Sequence, residues 1–329
     1  MRKKNNFKNK KLLFIFPQGI GDFLHALDNI ILNSINLNKN QHTFLFQYKQ
    51  QSDILNYLYK KKKNIFLTTK IRQNKFLIVK LIIHLLINKF DNIIVDPNIS
   101  FNKIKYLKYI YGKKLIIINK KLNENYTKID AYKDINKIIN KSEKNYSFND
   151  FINNHKTNNH LNIGFSVGSG SLEKNKRWPI NYFCELIKLI LTNNKFININ
   201  LYGSASELHL NEQIFNTLSK YYPNRIRIIN TANINEIFEI FKNLKLFISN
   251  DNGLSHFASL LKVKTFVLYG PTPTYSNGKS NYRIPISIGY KCSPCYDNFR
   301  FGCGETKCFE YLNPKIVYNI LSNDIRKII

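Results

Sequence analysis

In the C-terminal half of this 329-residue chain, the short apolar run LFISN is followed by acidic, amide and imidazole side chains. They are Asp251, Asn252 and His256, with Gly253 between them. A carboxylate and an amide can bind hydroxyl groups, and backbone N–H groups at a helix start can bind phosphate. An ordinary strand-to-helix turn with a helix cap would use the same residue types. These residues alone leave both interpretations open.

A second polar loop, GSGSLEKNKRWP, follows the apolar run NIGFSV and precedes a helical pattern. Its small residues, among them Ser169 and Ser171, would let a diphosphate approach backbone N–H groups, and Lys176 and Arg177 supply positive charge. The loop lacks the Gly-Lys-Ser/Thr ending of a Walker motif, and a surface loop with solvated lysines is the alternative. Trp178, the only tryptophan, is expected to anchor the loop to the core.

Two further carboxylates lie after strand-like runs. Glu207 follows FININLYG, where it could accept hydrogen bonds from ribose hydroxyls or serve as a favourable charge in the first turn of a helix. Asp22 follows KLLFIF and the turn PQGIG, in which Gly19 and Gly21 permit a tight bend. Asp22 can cap the helix that comes next.

Four cysteines are clustered between residues 292 and 308 with the spacing C-x2-C-x7-C-x4-C. They are Cys292, Cys295, Cys303 and Cys308. Tetrahedral thiolate coordination suits zinc or iron, so the cluster predicts a structural metal site. Reduced structural cysteines without a metal are the alternative.

The elements that must position these residues alternate between apolar, strand-like runs and helical patterns. KLLFIF, TFLFQY, NIFLTT, NIIVDP and KLIIIN predict strands, with helices over 52–60, 76–88 and 102–111 between them. An Asn- and Lys-rich region separates this half from a second alternation that ends in a loop-rich cysteine segment and a closing helix. The pattern predicts two α/β domains with parallel sheets, 1–155 and 156–329.

The net charge of +29, from 50 Lys and Arg against 21 Asp and Glu, has two explanations. One is a polyanionic partner, such as nucleic acid, an anionic lipid surface or a phosphorylated glycolipid. The other is codon drift, since Asn, Lys and Ile are over-used throughout. Because the lysines are dispersed and no RNA-binding motif is present, we expect drift to dominate and no nucleic-acid partner.

The longest apolar run, Phe76 to Ile87, is interrupted by Lys80 and His84. It is shorter than the roughly 20 residues of a membrane-spanning helix. It therefore predicts a buried or membrane-facing amphipathic helix. The basic start MRKKNNFKNKK lacks the apolar core of a signal peptide, so we expect a cytoplasmic protein with, at most, peripheral contact to a membrane.

With both halves in view, the chain resembles glycosyltransferase family 9, the heptosyltransferases of lipopolysaccharide core assembly. FPQGIGDFLHALDNI is similar to the family's N-terminal Gly-Asp motif, and VGSGSLEKNKRWP to its donor-diphosphate loop. LYGSASE is similar to its ribose motif, and NDNGLSHFASLLKVKTFVLYGPT to its signature D-T-G-x-x-H-x-A-A…G-P-T. The C-x-P-C segment recurs in many members.

This resemblance implies a GT-B fold, in which two Rossmann-like, doubly wound domains face each other across a cleft. The N-terminal domain would bind the acceptor and the C-terminal domain the nucleotide sugar. Transfer would invert the anomeric carbon, with Asp22 as general base and no cofactor required for catalysis. The implied donor-binding residues are Ser169, Ser171, Lys176, Glu207, Asp251, Asn252, Gly253 and His256.

The resemblance implies ADP-heptose, or another nucleotide sugar, as donor and an anionic lipid-linked glycan of the lipopolysaccharide core as acceptor. Transfer to a protein such as an autotransporter is a close alternative. A basic nucleic-acid-binding protein and a non-catalytic scaffold are alternatives from other classes.

The sequence departs from the family at three places. Asp28 stands where the family has a proline, and Asn252 stands where its signature has threonine. The hydroxyl pair of the diphosphate loop is represented by Ser169 and Ser171. These departures bear on the identity of the donor sugar rather than on the fold.

Overall fold

The computed structural model describes residues 11–16, 19–32, 42–59, 64–67, 70, 75–97, 111–117, 125–139, 148, 161–170, 173–230, 234–275, 280–295 and 306–329. The chain divides into two compact units, Met1–Asn153 and Asn154–Ile329. The predicted domain boundary near residue 155 lies outside the described residues, as does the helix predicted over 102–111 except for Tyr111.

The first unit contains one parallel sheet flanked by helices. Its strands are β1 (Leu12–Phe16), β2 (Thr43–Phe46), β3 (Asn64–Leu67), β4 (Asn92–Val95) and β5 (Leu115–Ile116). Its helices are α1 (Ile20–Ala26), which continues into a π-helical segment (Leu27–Ile31), α2 (Lys49–Tyr59), α3 (Lys75–Ile87) and α4 (Lys128–Ile139). The strand order is β3-β2-β1-β4-β5, so the direction of chain progression reverses between β1 and β4.

The central strand of this sheet is apolar along its whole length because both of its faces are covered. All five residues of β1 are buried, and the β1 residues Leu13 to Phe16 pair in register with Thr43 to Phe46 of β2. The ring of Phe14 stacks on that of Phe44 at a centroid distance of 5.0 Å. The continuous run KLLFIF therefore forms the centre of the sheet, as expected.

The second unit contains a six-stranded parallel sheet. Its strands are β6 (Leu161–Ser166), β7 (Ile197–Gly203), β8 (Ile226–Asn230), β9 (Leu244–Asn250), β10 (Lys264–Leu268) and β11 (Arg283–Ile286). Its helices are α5 (Ile180–Asn193), α6 (Leu208–Leu218), α7 (Ile234–Lys242), α8 (Gly253–Leu260), α9 (Lys307–Glu310) and α10 (Pro314–Ile328). The strand order is β11-β10-β9-β6-β7-β8, and progression reverses between β6 and β9.

Helix α5 illustrates how the sequence fixes one face on this sheet. Its buried residues include Phe183, Leu186, Ile187 and Ile190, which recur at the spacing of one helix face. They join one apolar core with Ile163 and the other inward residues of the sheet. The two parallel sheets with their helices confirm the predicted α/β class.

Strand β11 was not predicted, since the segment after Thr272 was expected to be loop-rich. The strand has four residues and includes Pro285, which lacks a backbone N–H donor. It lies at the end of the sheet and pairs with β10 alone. A proline is tolerated there because one side of an edge strand needs no partner.

Among the helices that the structure describes, none is long and apolar enough to cross a membrane.

Candidate active site

The two polar loops of the second unit meet because their strands are neighbours in the sheet. β6 precedes the Gly- and Ser-rich loop, β9 precedes the Asp251–Asn252 turn, and the two strands pair in parallel. Their carboxyl ends lie at the point where the strand order reverses, which is where open α/β sheets bind ligands. The structure therefore brings Lys176 to 3.8 Å from Asp251, measured from Nζ to Oδ2.

Asn252 ties these two loops together and also caps helix α8. Its Oδ1 accepts a hydrogen bond from the backbone N of Ser255 at 3.1 Å. Its Nδ2 donates to Ser166 Oγ at 2.9 Å and to the Gly168 carbonyl at 3.0 Å. A threonine hydroxyl could cap the helix, but it has no amide to donate to both loop acceptors. The departure from the family signature thus has a structural use.

Asn250, the last residue of β9, is fully buried and also connects the two loops. Its Nδ2 donates to the Val167 carbonyl at 2.7 Å, and its Oδ1 accepts from the backbone N of Trp178 at 3.0 Å. The Trp178 indole donates to the Leu312 carbonyl at 2.7 Å. The expectation that Trp178 anchors the loop is confirmed. Asn250 was missed because one polar residue at a strand end carries no distinctive sequence signal.

A buried group of charges surrounds Asp251. Arg283 Nη2 donates to Asp251 Oδ1 at 2.8 Å, and the two side chains are 5% and 9% exposed. Lys176 contacts Asp251 and also pairs with Glu173, with Nζ 2.5 Å from Oε1. Charges this buried persist only when they are paired. Arg283 was missed because it lies on the strand that was expected to be a loop.

Ser169 organises the loop after β6. Its hydroxyl donates to the Glu173 carbonyl at 2.7 Å and accepts from Arg177 Nε at 3.1 Å. Arg177 Nη2 also donates to the Ser169 carbonyl at 3.2 Å. The loop is thus held in a defined shape by its own side chains. Ser171, the other predicted serine, lies outside the described residues.

Glu207 lies at the carboxyl end of β7, beside the loop after β6. Its Oε2 accepts from the backbone N of Ser204 at 3.0 Å and from Ser204 Oγ at 2.8 Å. The first of these bonds and the bond that the Ser204 side chain accepts from the backbone N of Glu207 together form a capping box. A Cβ added at Gly168 would overlap the Glu207 carboxylate, which would then have to move. The position suits a helix-start charge, and its predicted contact with ribose stays a prediction.

Gly253 and His256 lie in the first turn of α8, as expected. The helix begins directly after the Asn252 cap, and the His256 imidazole is buried below the surface of the turn. The His256 carbonyl accepts from Ser259 Oγ at 2.9 Å. A direct role of His256 toward a phosphate stays a prediction.

Asp22 lies in the first unit, in the first turn of α1. The capping role that the sequence permitted for Asp22 is not observed, since the helix begins at Ile20 and its N-cap position is Gly19. The Asp22 carboxylate instead pairs with Lys128 of α4, with Oδ1 2.5 Å from Nζ. Lys128 was missed because 106 residues separate it from its partner in the sequence.

Asp96 and Tyr132 complete the polar group at the carboxyl ends of β1 and β4. The Tyr132 hydroxyl donates to Asp96 Oδ2 at 2.9 Å and lies 3.4 Å from the Asp22 carbonyl oxygen. Burial raises the pKa of Tyr132 most, and the negative charges of Asp96 and Asp22 raise it further. The hydroxyl therefore stays protonated and acts as a donor. This hydrogen bonding fixes the backbone that carries Asp22.

Asp28, which replaces the family's proline, also has a structural partner. Its Oδ1 accepts from the backbone N of Phe148 at 2.8 Å. The carboxylate therefore ties the π-helical segment to a residue that is 120 positions away. A proline could not form this bond.

The described cysteines differ in their surroundings. Cys292 is exposed, Cys295 is partly buried and Cys308 is buried. Within the ranges that the structure describes, no group of three or more His, Cys, Asp or Glu residues is arranged to hold a metal ion. Cys303 lies outside those ranges, and the four-cysteine metal site stays a prediction.

Comparison with solved structures identifies the fold. The chain superposes on the E. coli ADP-heptose lipopolysaccharide heptosyltransferase II with a TM-score of 0.68 and 17% identity, covering 96% of this chain and 99% of that one. The superposition on E. coli heptosyltransferase WaaC with ADP-2-deoxy-2-fluoro heptose has a TM-score of 0.67 and 13% identity, and it covers 95% of this chain and 99% of that one. The superposition on the iron-containing dodecameric glycosyltransferase TibC of E. coli has a TM-score of 0.61 and 12% identity, and it covers 98% of this chain and 77% of that one. These neighbours confirm the GT-B type of fold.

Sequence comparison identifies the family. Lipooligosaccharide heptosyltransferase 2 of Campylobacter jejuni is 30% identical over 173 residues, which are 50% of this chain and 50% of that protein. The chain thus matches about half the length of this curated relative. The model of glycosyltransferase family 9 (heptosyltransferase) matches residues 97–301, more than half of the chain. By this match, and by the motifs at the ends of β6, β7 and β9, the chain belongs to glycosyltransferase family 9.

Proposed function

We propose that this chain is an inverting glycosyltransferase that moves heptose from ADP-heptose to an acceptor of the lipopolysaccharide core. The observation that carries the proposal is the grouping of Lys176, the Asp251–Arg283 pair and the start of helix α8 at the reversal point of the second sheet. Cations and backbone N–H groups at this place suit a nucleoside diphosphate. The family match and the ADP-containing ligand in the WaaC structure support the same donor class.

The donor diphosphate is proposed to lie between the loop after β6 and the start of α8. Glu173 presently contacts the Lys176 ammonium, so an incoming phosphate would take the place of this carboxylate. Glu207 would accept hydrogen bonds from the ribose, and Asp251, held by Arg283, would orient the sugar hydroxyls. The defined shape of the loop lowers the entropy cost of binding, since Ser169 and Asn252 already hold it.

Asp22 is the proposed general base. Its carboxylate would take the proton from an acceptor hydroxyl while the oxygen attacks the anomeric carbon of the donor. The bond between that carbon and the diphosphate oxygen breaks on the opposite side, which inverts the configuration. Lys128 positions the Asp22 carboxylate. Lys176 and the N–H groups of α8 would stabilise the charge on the departing ADP without a catalytic metal.

The acceptor is proposed to be an anionic, lipid-linked glycan. The excess of positive charge in the chain favours such a substrate electrostatically. Because the acceptor would be anchored in a membrane and the donor is water-soluble, the enzyme would work in the cytoplasm in peripheral contact with the inner membrane.

The test is a donor and acceptor screen with purified protein. We expect ADP release and a heptose mass increase on a heptose-deficient lipopolysaccharide lipid, with ADP-heptose preferred over other nucleotide sugars. Asp22→Asn should lower kcat by at least ~100-fold, the scale of general-base catalysis. Asp53→Asn, which changes a partly buried carboxylate of α2 in the same unit, is the matched control.

Three results would contradict the proposal. One is the absence of ADP release with every donor, and another is an Asp22→Asn variant as active as Asp53→Asn. The third is retention of the anomeric configuration, measured by NMR of the product.

A further inference from the structure

Helix α3 exposes a broad apolar face. Six of its side chains are between 49% and 77% exposed: Phe76, Val79, Ile82, Ile83, Leu86 and Ile87. With 100° between successive residues, the six fall within about 140° of the helix circumference. Exposed faces of surface helices are normally polar. An apolar stripe of this width indicates a binding surface rather than a solvated one.

The opposite face fixes α3 to the sheet. His84 Nε2 lies 2.8 Å from Thr43 Oγ1 of β2, and the His84 ring packs against Phe66 at a centroid distance of 5.1 Å. Leu85 packs on the apolar cluster that contains Ile93 and Val95 of β4. The helix is therefore held in one orientation, and the face that it exposes is set by these contacts.

The stretch of chain that contains this helix carries charges of one sign. The sequence contains no Asp or Glu from residue 54 to residue 90, but nine Lys and Arg. Lys80, directly beside the apolar face, and Lys89, after the helix end, are both exposed.

The first unit concentrates this charge. Residues 1–153 contain 29 Lys and Arg against 10 Asp and Glu, whereas residues 154–329 contain 21 against 11. The first unit thus carries +19 of the net charge of +29. Its partner is expected to be anionic.

We propose that the exposed face of α3 docks on an anionic lipid bilayer. The six apolar side chains would lie at the boundary between headgroups and acyl chains, with the helix parallel to the membrane. Lys80 and Lys89 would reach the lipid phosphates while their stems stay apolar. This face would be the surface of the peripheral membrane contact described under the proposed function. It rests on that contact alone and does not depend on which sugar is transferred.

A second copy of the chain is a poorer occupant of this face. Two α3 helices packed face to face would bring Lys80 and Lys89 of both copies together, with no acidic residue from 54 to 90 to balance them. Like charges at close range oppose association. Lipid phosphates, in contrast, complement these lysines.

The first experiment is vesicle flotation of the full chain. We expect it to float with vesicles of phosphatidylethanolamine and phosphatidylglycerol. It should bind phosphatidylcholine vesicles at least ~10-fold more weakly, since each lysine near an anionic surface raises the binding affinity about fivefold. The double variant Ile83→Ser/Leu86→Ser should lose at least ~10-fold of its affinity for anionic vesicles. Phe196→Ser removes an equally exposed apolar side chain of the second unit and should bind like the wild type.

The second experiment measures depth. Trp178 is the only tryptophan and is buried, so Leu86→Trp introduces a probe whose added fluorescence comes from α3. Brominated lipids in anionic vesicles should quench this added fluorescence. Absence of quenching, or equal loss of binding in Phe196→Ser, would overturn the proposal.

Two further outcomes separate the alternatives. If Ile83→Ser/Leu86→Ser changes the oligomeric state in sedimentation velocity and leaves vesicle binding intact, the face joins two copies and the proposal is wrong. With a detergent-solubilised acceptor, the double variant should turn over at the wild-type rate. A chain that is active there but never floats would contradict the docking surface while leaving the proposed function standing.

Discussion

Arg283 donates from Nη2 to Asp251 Oδ1 at 2.8 Å, and the pair links an edge strand to the turn that carries the family signature. The guanidinium also lies over the ring of Tyr269, 5.5 Å from its centroid. Both charges are almost completely buried, and the attraction between them offsets the cost of removing each one from water. The fold itself therefore holds the Asp251 carboxylate in place.

Arg283→Met should destabilise the second unit by about 3 kcal/mol, since it leaves the Asp251 carboxylate buried without its closest ion pair, and Lys176 is 3.8 Å away. Urea unfolding, followed by the fluorescence of the buried Trp178, measures the change. Arg326→Met removes an exposed arginine of α10 and should cost less than about 0.5 kcal/mol. Equal losses in the two variants would contradict the role given to the pair.

Asn252→Thr restores the residue of the family signature and tests the extra hydrogen bonds of the amide. Threonine keeps the cap of α8 but loses the bonds to Ser166 and Gly168, so we expect a loss of about 1 kcal/mol in unfolding free energy. Asn252→Ala also loses the cap and should cost about 1 kcal/mol more. A threonine variant as stable as the wild type would show that the two loop bonds contribute nothing.

Glu173→Gln tests whether this carboxylate occupies the phosphate position on Lys176. Removing its charge should raise the affinity for ADP about fivefold, because a phosphate that binds Lys176 no longer has to displace the Glu173 carboxylate. Titration calorimetry with ADP gives the change. Glu185→Gln, an exposed carboxylate of α5 with the same effect on net charge, should leave the affinity unchanged. A weaker ADP complex in Glu173→Gln would refute the exchange.

Lys128→Met tests the positioning of Asp22. Loss of the ion pair leaves the carboxylate less well oriented, so kcat should fall about 10-fold while KM for the donor stays the same. Lys137→Met, an exposed lysine of the same helix, serves as control. An increase in KM for the donor with unchanged kcat would place Lys128 in donor binding instead.

The anchor of α3 should be sensitive to pH. Burial, and then the charge of Lys11, lower the pKa of His84. The Asn88 amide lies 3.2 Å from Nδ1 and can only donate there, which requires Nδ1 to accept and Nε2 to carry the proton toward Thr43. The folded state thus favours the neutral ring.

A lowered pKa in the folded state means that the unfolded chain binds the proton more tightly. The contribution of His84 to stability is complete above its ordinary pKa of about 6.5 and is lost as the pH falls through the lowered value. We expect the thermal midpoint to fall between about pH 7.5 and pH 5.5 in the wild type and less in His84→Gln. Asp130, whose pKa is lowered by its bond with Thr127, loses its contribution only at more acidic pH. Equal shifts in both proteins would exclude His84 as the cause.

The sequence by itself determined the two parallel sheets and the place of each motif, because continuous apolar runs form buried parallel strands and the polar residues after them must lie at the carboxyl ends. These conclusions rest on neighbours along the chain, where local periodicity is informative.

Only the tertiary structure decided which side chains meet. Asp22 pairs with Lys128, 106 residues away, and Arg283 reaches Asp251 from a strand that contains a proline. For α3 the apolar run predicted a buried or membrane-facing helix, and only the structure showed which of its side chains are exposed. Contacts between distant residues depend on how the strands are ordered in the sheet, and spacing along the chain does not encode that order.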